Sequence, residues 1–326
     1  SGLLLFGIAL LYGAASNPAL PGTASSPLNF SELATFIGSS NELYNNSQHL
    51  LVLFGTALVL AGICFKIGVV PFQIWVPDVY QGARTPVTLY IASAPKLAAL
   101  AFTIRILVDA LGGLHDTWAA MIMVVAVLSL LVGNIVAIAQ TNIKRMLGYS
   151  TIAHVGFILL AIYVGTDKGY SAALFYTLTY IVAAAGAFGI IIIMSRRGYE
   201  AELLSDFKGL NTRSPWFALM MMFLMFSMAG VPPFVGFFGK LNVIDAALSA
   251  GHPGLAVLMV LASVVGAYYY LRVIWYMYFE KGEDQVALQA STDTRLVLSL
   301  NSIAVLALGI VPGWLWALCT AVFAPI

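Results

Sequence analysis

The chain has 326 residues, 61% of them hydrophobic and 9% charged, with a formal net charge of +1. A soluble domain carries about 25% charged residues, so most of this surface must face lipid, and the near-neutral balance leaves no basic face for nucleic acid. Cys64 and Cys319 lie far apart in apolar runs; they offer neither a disulfide framework nor metal-ligand spacing and read as small apolar fillers.

The chain opens in an apolar stretch, Leu3 to Leu11. Ser1-Gly2 supplies no basic start, so the stretch reads as a partial helix (1–13) rather than a signal peptide, and the chain as an N-terminally truncated fragment. A polar segment, 14–48, follows, with short glycosylation patterns at Asn29-Phe30-Ser31 and Asn45-Asn46-Ser47. Crossing the hydrocarbon core takes about 20 apolar residues. Eight later segments qualify: roughly 49–80, 86–108, 117–140, 143–166, 171–195, 215–248, 254–280 and 296–322. Glycine, proline or charge clusters mark each boundary. The fold class is an all-α polytopic membrane bundle of eight spans plus one partial.

Loop charge orients these spans, because cytoplasmic loops carry excess Lys and Arg. Arg84, Lys144, Arg145, Arg196, Arg197, Lys208, Arg213, Lys281 and Arg295 fall in one set of loops, and the alternate set holds only Lys168. Segment 14–48 and the C-terminus are therefore expected outside, with the cation-rich loops inside.

Five cations remain within spans. Arg105 sits one turn before Asp109 and reads as a snorkelling side chain with a local ion pair. Arg272, after Tyr268-Tyr269-Tyr270, suits anchoring or function equally. Lys66, Lys96 and Lys240 fall near mid-span, where each ammonium costs roughly 2.5–3.5 kcal/mol on insertion scales. One lysine could simply cap a broken helix end or pair with a carbonyl; three such costs suggest charge movement. No carboxylate lies beside Lys66 or Lys96 at that depth, and Asp245, one turn beyond Lys240, comes closest. Either these lysines are neutral part of the time or their acids lie on missing residues or another subunit. Lysine shifts its pKa readily when desolvated, which suits a proton relay.

Two spans share a break. Lys66-Ile67-Gly68-Val69-Val70-Pro71-Phe72 and Gly230-Val231-Pro232-Pro233-Phe234 through Gly239-Lys240 each hold glycine, proline and a nearby lysine at mid-membrane. Proline removes a backbone donor and clashes with the preceding turn, and freed backbone groups are tolerated only in protein or beside a wet cavity. The two spans run in opposite directions, the pattern of an inverted repeat with its working site at the repeat interface. The first repeat would end over 49–108 and the second run over 117–280, with its break in 215–248 and a last helix at 296–322. Asn134, Gln140, Ser150, Thr151, His154, Thr177, Thr179 and Tyr180 suggest a hydrated line between the breaks. His154, one turn from Ser150, suits a relay or helix–helix glue.

The strings Phe65-Lys66, Pro71-Phe72-Gln73-Ile74-Trp75-Val76-Pro77-Asp78-Val79-Tyr80-Gln81-Gly82, Ser93-Ala94-Pro95-Lys96-Leu97 and Gln140-Thr141-Asn142-Ile143-Lys144-Arg145-Met146-Leu147-Gly148-Tyr149-Ser150 resemble the seventh, eighth and tenth helices of the antiporter-like subunits of respiratory complex I. The Pro-Asp-Val-Tyr-Gln-Gly string and Tyr268-Tyr269-Tyr270-Leu271-Arg272-Val273 are more similar to the subunit N branch (subunit 2 in mitochondria) than to the L and M branches. The resemblance implies fourteen helices in two inverted five-helix halves, so that this chain starts within the sixth. It implies proton carriage by Lys66, Lys96 and Lys240 with His154, and a glutamate on the fifth helix, before Ser1, as partner of Lys66. Gln73 stands where histidine is common, and Arg84 where proline is frequent. Asp245, Arg272 and Tyr180 are possible supporting groups.

The resemblance also implies a proton-translocating subunit of an NAD(P)H or ferredoxin:quinone oxidoreductase without redox chemistry of its own. No cofactor is expected in this chain; NADH, FMN, iron–sulfur clusters and quinone would belong to partner subunits. The expected partners are a neighbouring antiporter-like subunit, small helical subunits and the bilayer of an energy-converting membrane, most simply the bacterial plasma membrane, with thylakoid or inner mitochondrial membranes as alternatives. The rival readings are a subunit of a multisubunit cation/proton antiporter and a structural bundle that scaffolds other subunits.

Overall fold

A computed structural model describes residues 2–16, 29–39, 46–195, 199–282 and 286–324. Arg196, Arg197 and the Asn45 glycosylation pattern lie outside the described residues. Helices dominate: α1 (Gly2–Ala15), α2 (Phe30–Ser39), α3 (Asn46–Ile67), α4 (Trp75–Gly82), α5 (Thr85–Ala92), α6 (Ala94–Ile104), α7 (His115–Ala139), α8 (Ile143–Tyr163), α9 (Asp167–Met194), the single turn α10 (Leu210–Arg213), α11 (Pro215–Ala229), α12 (Val235–Ser249), α13 (Pro253–Phe279), α14 (Thr292–Ile310) and α15 (Pro312–Ala321). Several start where local chemistry satisfies or omits a free N–H. Asn142, Thr166 and Ser291 side chains accept from the first turns of α8, α9 and α14, and proline stands in the first turn of α5, α6, α11, α13 and α15.

Among the described residues, seven helical segments are long and apolar enough to cross a membrane, and α1, α11 and the segment Pro312–Phe323 are shorter apolar helices. Helix α8 is almost wholly buried, α9 largely so, while α14 is mostly exposed. The polar residues of α8 and α9 therefore face protein, which makes these two helices the natural carriers of a buried site. Cys64 and Cys319 are free and buried.

The two expected breaks are present. In the first, α3 ends at Ile67, Gly68 takes φ +76° and α4 begins at Trp75; in the second, α11 ends at Ala229, Gly230 takes φ +86° and α12 begins at Val235. Three features depart from the sequence expectation. Segment 14–48 contains helix α2. Span 86–108 is split at Ser93 (φ −113°, ψ −94°), ahead of Pro95, and ends in a wide turn over Arg105–Ala110. Span 296–322 is split at Val311, ahead of Pro312. In both splits the proline cannot donate to the preceding turn; Ser93 instead turns its hydroxyl back to the Leu89 carbonyl at 2.7 Å.

Candidate functional site

The C-terminal carbonyls of a helix lack partners, and the end carries roughly half a negative charge. Interrupting a helix in mid-membrane buries such an end. At the first break Lys96, on α6, reaches across and donates to the carbonyl of Ile67, the last residue of α3, at 3.0 Å. Its ammonium also lies 5.9 Å from the Trp75 ring, at the start of the second half-helix. The freed N–H of Val70 donates to Ser129 of α7 at 3.0 Å. Lys66 differs from Lys96: it sits one residue before the end of α3, exposed on the surface of the chain, yet close enough to act electrostatically on Lys96.

The second break repeats this chemistry. Lys240 donates to the carbonyl of Ala229, the last residue of α11, at 2.7 Å, and to Ser263 of α13 at 2.9 Å. Here the lysine belongs to the second half of the same broken helix. The freed N–H of Gly236 donates to the Ser227 hydroxyl at 3.2 Å. A Cβ at Gly236 would lie 1.8 Å from the Ser227 carbonyl, so only glycine allows the two halves to come this close.

Among the described residues, Lys96 and Lys240 are therefore buried without a carboxylate among their hydrogen-bond partners, and a helix end takes the place of the acid. The sequence offered two ways to balance their charge, partial neutrality or an acid from outside the chain. The structure adds a third.

His154 lies between the breaks, buried on α8. Its Nδ1 bonds the Tyr176 hydroxyl at 2.8 Å and its Nε2 the Tyr270 hydroxyl at 2.7 Å, and Tyr270 closes a further short contact with Ser150. The Tyr180 ring is centred 4.5 Å from the imidazole, and its hydroxyl meets Thr151 at 2.7 Å. Two cavities flank this group. One, of about 30 Å³, is bordered by Ile67, Lys96, Thr103, Thr177 and Tyr180; the other, of about 10 Å³, by Lys240, His154, Thr179, Tyr180 and Gly236. A water needs roughly 10–15 Å³ on this measure, so the first has room for water and the second is marginal. Tyr180 borders both.

The remaining polar residues divide. Asn134 links α7 to α13 through the Ala262 carbonyl and the Tyr269 hydroxyl and serves as helix–helix glue, whereas the Gln140 side chain bonds back to Val136 of its own helix. Arg272 donates to the carbonyls of Ile138 and Gln140 at 2.8 and 2.7 Å, capping the C-terminus of α7, so its geometry is that of an anchor. Asp245 faces away from Lys240: five residues along a helix turn about 140°, and it pairs with Lys168 at 2.7 Å on the surface. Arg105 pairs with Asp109 at 2.8 Å, as expected.

Sequence reasoning missed one cluster. Lys144, read as a loop cation, has a fully buried side chain that meets Glu200 at 2.8 Å, Glu202 at 2.6 Å and the Ala83 carbonyl at 3.0 Å. The bond from Lys144 holds the Glu200 carboxyl below its usual range, against the opposing effect of burial. Ser263 was also missed, although it is the sole hydroxyl other than tyrosine on α13, which could have drawn notice.

The transmembrane family described as NADH:quinone oxidoreductase/Mrp antiporter matches residues 1–266. A protein of Thioalkalivibrio sulfidiphilus named NADH-quinone oxidoreductase subunit N is 53% identical over 320 residues, covering 98% of this chain; the chain spans 64% of that relative's length. A chain of respiratory complex I from Thermus thermophilus superposes with a TM-score of 0.77 at 31% identity, covering 97% of this chain and 65% of its own. A chain of the Mrp complex from Dietzia gives 0.81 at 24% identity, covering 99% and 65%, a likeness of fold alone. With the family matched over most of its length, this chain belongs to the NADH:quinone oxidoreductase/Mrp antiporter transmembrane family.

Proposed function

We propose that the chain is a proton-translocating membrane-arm subunit of a complex I type quinone oxidoreductase, carrying protons through Lys66, Lys96, His154 and Lys240 with Tyr180 between the two cavities. The observation that carries this reading is the pair of buried ammonium groups, each held on the C-terminal carbonyl of an interrupted helix. A buried charge is costly, and a carbonyl partner leaves its protonation free to change. A neutral amine still donates an N–H to the same carbonyl, so the lysine keeps its place whether loaded or empty. A carboxylate partner would instead hold the proton by pairing with the charged form.

Segments 49–108 and 117–280 act as the end of one inverted repeat and the whole of the next, and the helix breaks at Gly68, Pro71, Gly230, Pro232 and Pro233 form their working centre. The name of the Thioalkalivibrio relative supports NADH and quinone as the redox partners. FMN, iron–sulfur clusters and quinone would reside in neighbouring subunits, in a bacterial plasma membrane. The alternative, a subunit of a multisubunit cation/proton antiporter, shares the fold and differs in partners; co-purification of iron–sulfur subunits decides between them.

The direct test replaces Lys240 or Lys66 by alanine in the complete complex. Assembly is retained and proton transport coupled to quinone reduction falls. Unchanged proton-to-electron ratios in reconstituted vesicles would contradict the proposal.

A further inference from the structure

We propose that Ser263 is a positioning residue for Lys240, the partner whose hydrogen bond to the lysine nitrogen can reverse when the proton leaves. This rests on the proton-translocating reading and adds to it the group that fits Lys240 to both of its states. The Ser263 hydroxyl, on α13, lies 2.9 Å from the lysine Nζ, and the Ala229 carbonyl lies 2.7 Å from it. The Phe157 ring is centred 5.6 Å away.

These three neighbours respond differently to loss of the proton. A carbonyl only accepts, so Ala229 takes an N–H from ammonium and amine alike. An aromatic face attracts the cation alone. The neutral amine, however, carries a lone pair in place of one N–H, and a buried acceptor without a donor is costly. A hydroxyl can both donate and accept. Ser263 receives an N–H from the ammonium and, by turning its O–H about the Cβ–Oγ bond, donates to the amine. No heavy atom has to move, and no proton passes through Ser263.

The Ser263 hydroxyl is free to turn in this way. A serine within a helix can commit its hydroxyl to the carbonyl four residues back, as Ser129, Ser171 and Ser299 do here. Among the described residues, the Ser263 hydroxyl bonds Lys240 alone. The first break meets the same need by other means. Thr103 and Thr177, which border the Lys96 cavity, are turned to the carbonyls of Ala99 and Ala173. That cavity, of about 30 Å³, has room for a water able to donate to Lys96, whereas the one beside Lys240, of about 10 Å³, is marginal for water. Ser263 thus supplies in fixed form at Lys240 what solvent can supply at Lys96.

The test compares Ser263→Thr, Ser263→Val and Ser263→Ala with Lys240→Ala in the complete, reconstituted complex. Threonine and valine have nearly the same shape, and of the two only threonine keeps the hydroxyl. Proton transport coupled to quinone reduction is expected to slow about fivefold in Ser263→Val and Ser263→Ala, the equivalent of one hydrogen bond, and to stay near the parental rate in Ser263→Thr. Alanine adds no bulk, so it keeps the test decisive if the larger side chains prevent assembly. Equal slowing in Ser263→Thr and Ser263→Val would assign the effect to shape, and a parental rate in Ser263→Ala would show that the hydroxyl is dispensable. Either result, with Lys240→Ala impaired, would overturn the role of Ser263 and leave the proposed function standing. Parental transport in Lys240→Ala as well would overturn both.

Discussion

The two helix breaks solve one physical problem with different degrees of self-reliance. Each buries the negative end of a half-helix and sets an ammonium against its last carbonyl. At the second break, everything needed comes from the broken helix and one neighbour: Lys240 reaches back to Ala229, Ser227 receives the freed N–H of Gly236, and Ser263 adds one bond. At the first break, the partners come from elsewhere, Lys96 from α6 and Ser129 from α7, while the adjacent Lys66 stays on the surface. The second break is thus a rigid local unit, and the first is held by the arrangement of its neighbours. If the subunit moves during turnover, the first break is where a shift of α6 would change a lysine's partner.

The sharpest way to break this comparison is a glycine substitution at each site. Gly236→Leu puts a side chain where a Cβ would already lie 1.8 Å from a backbone oxygen, which no rotamer relieves. Its two halves cannot seat, and we expect no assembled protein on native gels. Gly68→Ala is milder. Its φ of +76° costs an alanine about 1–2 kcal/mol, and the nearest obstacle, 2.3 Å away, is a methyl group of the buried Val76, a side chain rather than backbone, which has to shift. That variant should assemble with a lowered unfolding temperature. Equal tolerance of the two substitutions would refute the distinction between a self-locked and a neighbour-held break.

Next in size is the lock on the far end of the first broken helix. Lys144→Met leaves the Ala83 carbonyl without its buried donor and sets two carboxylates together. Removing one partner of a buried pair costs 3–5 kcal/mol; because Glu200 and Glu202 are each about a third exposed, about 2–3 kcal/mol is expected, read as thermal unfolding of the detergent-solubilised complex. The same lock has a pH signature. The Glu200 carboxyl is held below its ordinary 4.5, so the stability it contributes is present above that value and is lost as pH falls through and below it. Glu200→Gln should flatten that acid-side loss relative to the parent. An unchanged pH profile would mean that Lys144 relies on Glu202 alone.

The positions of the breaks were legible in the sequence because glycine and proline act locally: Gly68, Pro71, Gly230 and Pro232 each dictate backbone geometry within a residue or two. Membrane class was legible because composition and length suffice for it, whereas the splits at Ser93 and Val311 and the helix within 14–48 were not read. The partners of the lysines were not. The Ile67 and Ala229 carbonyls are backbone atoms that no pattern of side chains reveals, and the bond from Lys96 to Ile67 joins residues 29 apart. Lys144 misled for a related reason: loop charge reports topology, yet Glu200 and Glu202 reach it from a loop 56 or more positions along the chain. Asp245 misled because nearness along a helix is not nearness in space.

That last residue supplies the smallest effect and a control on the comparison. The second broken helix ends with an ion pair of its own, Lys168 and Asp245, but here the side chains are 40% and 56% exposed. Exposed pairs contribute about 0–1 kcal/mol because water screens them and holding two long side chains costs entropy. Asp245→Asn should therefore change stability by no more than about 0.5 kcal/mol and leave proton transport as it was, since α12 turns this side chain away from Lys240. A marked loss of transport in Asp245→Asn would show that Asp245 is coupled to Lys240 after all, so that the second break is not self-contained and the far end of α12 takes part.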